Sequence, residues 1–231
     1  MIGLRWRLCM LGMSLIIPTL LVLGGVRLLM TPAYVSVAYR VPGFPADPYG
    51  FSLEDRLHYA PYAVDYLVNN APLSYLGDLR LPNGSAVFNE RELKHMDDVQ
   101  VVVRWSMAAL VGLSLVFVCA LLLSLRSPLG RRALRQALIT GGALILIALL
   151  LLVIYILIDW DHFFDSFHNL FFAQGTWQFR YSDSLIRLFP IFFWQNAALT
   201  LGAISAGGGI ICLCGGIIWG RRARHQGGNQ G

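Results

Sequence analysis

Between Arg135 and Asp159 the chain carries no charged residue. A helix rises about 1.5 Å per residue, so this run alone covers a hydrocarbon core of roughly 30 Å. Residues 8–30, 105–125 and 196–219 are apolar over similar lengths and, with 137–158, make four candidate spans. A chain of 231 residues that is 56% hydrophobic and only 13% charged does not have the surface of a soluble domain. The class is therefore an all-α membrane protein. The first run follows Arg5 and Arg7 as a secretory signal would. It exceeds the roughly 7–15 apolar residues of a signal core, and no clear cleavage site follows, so an uncleaved first span is expected.

The net charge of +5 is sorted along the chain rather than clustered as a nucleic-acid footprint. Arg5 and Arg7 precede the first span, Arg126, Arg131, Arg132 and Arg135 lie between the second and third, and Arg221, Arg222 and Arg224 follow the fourth. All thirteen acids fall in the other two connections, from Asp47 to Asp98 and from Asp159 to Asp183. The positive-inside rule then places both termini and the 126–136 link in the cytoplasm. The expected division is residues 1–30, N-terminus and span 1; 31–103, an extracytoplasmic cap inserted between spans 1 and 2; and 104–158, spans 2 and 3. After these come 159–195, an extracytoplasmic aromatic segment; 196–220, span 4; and 221–231, a cytoplasmic tail. Cys9, Cys119, Cys212 and Cys214 all lie within spans, which leaves none for a disulfide in the outer segments.

Within the cap, three prolines and two glycines between Val41 and Gly50 describe an irregular loop. Ser52 and Asp55 form a capping-box pattern for a helix that Pro61 ends or kinks. Residues 79–88, with Pro82-Asn83-Gly84 at the turn, suggest a small hairpin. The cap is too short and polar to bury a large core alone. Residues 185–194 are apolar, broken at Pro190, and suited to lying in the interface. In span 4, Gly208, Cys212 and Gly216 recur every four residues, a small-residue face for close helix packing.

No phosphate-binding glycine loop, nucleophile elbow or zinc-protease motif is present; histidines and carboxylates flanking the spans remain. Asn89 and Glu92 supply a capping box for a helix that carries His95 and Asp98 directly into span 2. A carboxylate one turn from a histidine can accept its ring N–H and fix the tautomer. Asp165 stands in the same relation to His168, just after span 3. A solitary interfacial histidine is most often simply solvated, and His58 and His162 are read that way. For His95 and His168 an up-down bundle can bring the two helix ends together. Two histidines without a strong nucleophile suit proton transfer at a carbonyl. Trp160, Phe167, Phe171, Phe172, Trp177 and Phe179, together with Phe163 and Phe164, would exclude water and bind acyl chains. A metal site drawing on Asp161, Asp165, His168, His95 and Asp98 is permitted by spacing but not diagnosed by it, and no metal or other cofactor is assigned.

The segment FNERELKHMDDV, residues 88–99, resembles the R-E-x-x-H-M-x-D-V signature of a bacterial integral membrane family that includes the lipoprotein intramolecular transacylase. FHNLFFAQGTWQF, residues 167–179, resembles that family's second signature, F-H-x-x-F-F-x-x-G-x-W-x-F. The resemblance implies movement of the sn-2 acyl chain of a diacylglyceryl-modified N-terminal cysteine to that cysteine's α-amine, giving a lyso-form lipoprotein. It implies His95 and His168 as catalytic residues, no cofactor, a lipoprotein substrate among membrane lipids, and a site at the outer face of the bacterial cytoplasmic membrane. Rival expectations are a non-enzymatic membrane scaffold or lipid-binding protein and a metal-dependent membrane hydrolase.

Overall fold

The computed structural model describes residues 3–228, with side chains described up to Arg222. Residues 229–231 of the expected tail, and the side chain of Arg224, lie outside the described residues. The helices in order are α1 (Leu4–Leu29), α2 (Pro32–Ala38), α3 (Leu53–Asn69), α4 (Ser74–Gly77), α5 (Glu90–Leu125), α6 (Pro128–Ile158), α7 (Trp160–Phe171), α8 (Ser184–Leu188) and α9 (Ile191–Gly228). Four of them, α1, α5, α6 and α9, are long and apolar enough to cross a membrane. They are longer than the apolar runs because charged residues at a span's end extend a helix without breaking it. Thus α6 already includes Arg131, Arg132 and Arg135, and α5 begins with seven charged residues between Glu90 and Arg104. The membrane-crossing part of α5 follows those charges.

The chain divides into two compact units. One comprises the described parts of Met1–Gly25, Ala108–Ile158 and Leu201–Gly231. Its helices meet through small residues: a Cβ placed on Gly142 of α6 would lie 2.6 Å from the Gly209 carbonyl of α9, so neither backbone tolerates a side chain there. Gly216 approaches Ile139 just as closely, at 2.7 Å. The small-residue face of α9 is therefore real but also recruits Gly209, one residue off the expected register. Leu115, Leu150, Leu151 and Ile211 point outward, as side chains solvated by lipid do.

The other unit comprises Val26–Met107 and Asp159–Thr200. Thr31 caps α2 by accepting from Tyr34 N, with Pro32 in the first turn. Ser52 and Asp55 close a reciprocal box on α3, which runs through Pro61 to a left-handed Asn70. Residues 79–88 form a turn with a single antiparallel bridge, Arg80 to Ala86, in place of a hairpin ladder. Val35, Ala60, Tyr66, Leu76 and Phe88 are buried together, and Met96 of α5 with Leu188, Phe189 and Phe193 complete their core. The segment between α1 and α5 therefore shares its core with the 185–193 stretch. Pro190 does not leave that stretch lying loose. It precedes the first residue of α9 and its carbonyl accepts from Phe193 N, so a residue lacking its own N–H starts the helix at Ile191 rather than near 196.

Polar ties hold α8 to α3, to the 41–51 loop and to Tyr39 at the end of α2. Arg56, almost fully buried, donates through Nε to the Arg187 carbonyl (3.1 Å) and through Nη1 to the Pro45 carbonyl (2.7 Å). Arg187 pairs with Asp47 at 2.9 Å and lies 3.6 Å over the Phe51 ring. Tyr39 donates its hydroxyl to the Leu188 carbonyl at 2.7 Å. These bonds replace the disulfides the segment lacks.

Candidate active site

Asn89 starts α5 by accepting from Arg91 N (3.0 Å) and Glu92 N (3.1 Å), and Glu92 Oε2 accepts from Asn89 N in return (2.8 Å). Glu92 does more than cap. It is 1% exposed, and its second oxygen accepts from Leu185 N, at 2.6 Å, at the start of α8. Burial raises its carboxyl above the ordinary range while those two N–H bonds oppose the shift.

One turn further, His95 is 7% exposed and its Nδ1 has no hydrogen-bond partner among the described residues. Its ring meets the edges of Phe172 and Phe179 at 5.0 and 5.4 Å and lies 6.5 Å from the His168 ring, the planes 29° apart. Burial, aided by any charge on His168, lowers its pKa to about 4. His95 is therefore neutral at neutral pH.

His168 sits near the end of α7, stacked on Trp177 at 4.7 Å and against Phe164 at 4.1 Å. Its Nδ1 lies 2.8 Å from the Phe164 carbonyl oxygen. A carbonyl only accepts, so Nδ1 carries the proton and Nε2 keeps its lone pair. Burial lowers the pKa of His168, held back by the Phe164 bond and the Asp165 charge. The pair thus presents two neutral imidazoles in an aromatic pocket, one with its basic nitrogen defined.

The carboxylates do less than their spacing suggested. Asp98 makes no hydrogen bond to His95, because that ring turns inward among phenylalanines while Asp98 stays half-buried on the helix flank. Asp165 is exposed and acts on His168 through charge alone; the orienting acceptor is the Phe164 backbone. Of the aromatic residues, Phe172, Trp177, Phe179 and Phe167 contact one or both histidines. Trp160 reaches them through Phe164 and, by way of Phe163, through Phe167; Phe171 reaches them through Phe167 and Phe172. Among the described residues no three His, Cys, Asp or Glu side chains are gathered as a metal site. Sequence reasoning passed over Asn169, which accepts from Trp177 Nε1 at 3.2 Å, and Arg91, which donates to the Gln178 carbonyl. Arg91 did carry two signals: it is the arginine of the R-E-x-x-H-M-x-D-V signature, and it lies four residues before His95 and so on the same helical face.

A family model described as lipoprotein intramolecular transacylase Lit matches residues 10–194. A curated relative from Aquifex aeolicus (strain VF5), described as an uncharacterized protein, is 31% identical over 192 residues, 83% of this chain and 85% of that one. Among solved structures, an in meso structure of the membrane integral lipoprotein intramolecular transacylase Lit from Bacillus cereus superimposes with a TM-score of 0.73 at 19% identity, covering 96% of this chain and 98% of the other. A second, carrying a histidine-to-arginine mutation, gives 0.69 at 19% identity over 96% and 95%.

Proposed function

Because the chain belongs to the lipoprotein intramolecular transacylase family, a family of membrane proteins, we propose that it moves the sn-2 acyl chain of a diacylglyceryl-modified N-terminal cysteine to that residue's own α-amine. The observation that carries this reading is the neutral His95–His168 pair with the Nδ1 proton of His168 committed to the Phe164 carbonyl. His168 Nε2 takes a proton as the amine nitrogen attacks the ester carbonyl. His95 donates a ring N–H hydrogen bond to the developing oxyanion, and the His168 imidazolium then returns the proton it took to the departing glyceryl oxygen. The N–C bond forms, the C–O bond breaks, and the amine proton is balanced by protonation of the released sn-2 hydroxyl. The products are an amide and a lyso-glyceryl group.

Both reacting groups belong to one molecule, so the site need only hold the substrate folded with its amine against its ester. Phe167, Phe172, Trp177 and Phe179 exclude water and hold the acyl chain in that pose; Trp160 and Phe171 continue the wall. Asp165 supports His168 through charge, while Asp98 lies one turn from His95 without bonding to it. The sorting of arginines and acids supports an orientation with both termini cytoplasmic, residues 31–103 as an extracytoplasmic cap and the histidines at the outer face. The chemistry uses only side chains of this chain.

The protonation state gives a first test. Burial disfavours the imidazolium form, so the free base persists as pH falls until the lowered pKa is crossed, about 4 for His95. Conversion of a synthetic diacylglyceryl lipopeptide in nanodiscs, corrected for the ionisation of the substrate amine, should therefore lose rate on the acid side below the ordinary histidine value of 6.5, as His168, whose pKa burial lowers, takes up its proton. An acid limb at or above that value would contradict buried, neutral histidines.

A further inference from the structure

Two of the rings that cover the histidine pair, Trp177 and Phe179, are carried by the segment 173–183, which connects α7 to α8 without helix or strand. It turns at Gly175, whose φ of +83° favours glycine, and Thr176 N donates to the Ala173 carbonyl at 3.1 Å. From there it lays Trp177 on His168 and Phe179 against His95. A segment without regular structure keeps such a placement only if something fixes it. Asn169 holds the Trp177 indole from α7, and Asp183 accepts from Arg180 N at the far end. Neither bond reaches the helix that carries His95.

Arg91 does. Its guanidinium donates to the Gln178 carbonyl, between the two rings, and lies 5.9 Å over the face of Phe179. A charged donor on a carbonyl and a cation over a ring act together from one planar group, which a point charge does less well. Arg91 is exposed and has no ion pair with an acid among the described residues, so no surface salt bridge accounts for it. It leaves α5 one turn before His95, on the same face.

Building on the transacylase reading, we propose that Arg91 is a positioning residue: it ties the 177–179 segment to the helix of His95, so that Phe179 and Trp177 stay closed over the histidine pair and keep water from it. Without the tie the rings swing away, His95 becomes hydrated, and the acyl chain loses its wall. The charged group that acts on His95 is His168 on α7, itself backed by Asp165; Arg91, Glu92, Lys94, Asp97 and Asp98 lie within four residues of it on its own helix, and from the 172–179 stretch it meets the Phe172 and Phe179 rings. Loosening the segment thus changes hydration of the ring far more than the charge facing it, apart from the loss of Arg91 itself. That loss also moves the titration of His95 upward.

The test is the titration of His95 in ring-labelled protein in nanodiscs, read by NMR and assigned with a His95→Gln control, for the wild type and for Arg91→Ala, Arg91→Lys and Phe179→Leu. Arg91→Ala should raise the titration midpoint by about one unit or more as water enters. Phe179→Leu keeps the arginine charge and should also raise it. Arg91→Lys, which keeps the charge and one donor, should fall between Arg91→Ala and the wild type. Alongside, Arg91→Ala should lower kcat for acyl transfer at least about tenfold. Unchanged midpoints in Arg91→Ala and Phe179→Leu overturn the proposal, and so does a shift in Arg91→Ala alone, which would be an effect of charge only. Because the titration requires no turnover, a wild type that fails to convert lipopeptide would defeat the transacylase reading and leave this measurement intact.

Discussion

On the proposed mechanism, alanine in place of His168 should lower the rate of lyso-lipopeptide formation by about 100- to 10,000-fold, the usual contribution of a positioned acid or base. The expectation rests on the ring's setting. The Nδ1 proton is engaged by the Phe164 carbonyl at 2.8 Å, and Trp177 and Phe164 grip the ring, so Nε2 is held ready. Removing the imidazole removes the proton acceptor, while the Phe164 carbonyl keeps the backbone partner that a position inside α7 gives it. The mutant should therefore insert and fold normally. Asparagine can still offer an amide hydrogen bond but no basic nitrogen, and should be nearly as inactive as alanine. Asp165→Asn, by contrast, removes only an exposed charge and should change the rate less than about fivefold, since exposed charges are screened. Rates of purified variants in nanodiscs, normalised to folded protein, check the series. Full activity in His168→Ala would remove the histidine from the mechanism.

The second large effect is on stability. Leucine at position 92 matches the bulk of glutamate but can accept no hydrogen bond. It leaves Asn89 N and Leu185 N, now bonded at 2.8 and 2.6 Å, without acceptors in a site from which water is excluded. Loss of a capping interaction costs about 1 kcal/mol, and an unsatisfied buried donor about 1–3 kcal/mol. Some of this is recovered because the buried carboxylate no longer has to be desolvated, a penalty visible in the raised pKa of Glu92. The net expectation is a loss of roughly 1–3 kcal/mol, read as a fall of roughly 3 °C or more in the melting midpoint in nanodiscs. Glu92→Gln should lie between, since its amide offers one acceptor and turns a donor towards the other N–H. A midpoint for Glu92→Leu at or above that of the wild type would show that α5 and α8 are held together by other contacts.

How far residues announce structure differs sharply along this chain. Apolar length alone marks the four membrane-length helices, because in a bilayer a long uncharged run has one outcome. Ser52 and Asp55 also announce their helix, since a capping box is local. The charged beginnings of α5 and α6 are less legible, because helix continues where hydropathy stops. The pairing of His95 with His168 could be anticipated from their positions at the ends of two spans, but their orienting groups could not. Spacing pointed to Asp98 and Asp165; the structure uses a backbone carbonyl for His168 and no partner for His95 Nδ1 among the described residues. A backbone acceptor leaves no trace in side-chain pattern. Glu92 hides its second role for a different reason. Its capping partner is three residues away, while Leu185 N is 93 residues away, and nothing local links the two. Arg91 is similar: its partners, Gln178 and Phe179, come from the second motif, and only the fold brings the two motifs together.

On the proposed mechanism, this chain transfers an acyl group within one lipoprotein by means of a histidine pair. Mass spectrometry of lipoprotein N-termini tests it most directly. A host that makes diacylglyceryl lipoproteins would carry the wild type, His95→Ala or His168→Ala at matched membrane levels. The wild type should yield N-acylated, lyso-glyceryl cysteine with total acyl content per molecule conserved, and both variants only the diacylglyceryl form. Lyso product at wild-type levels in either variant, or diacylglyceryl lipoprotein alone in the wild type, would contradict it.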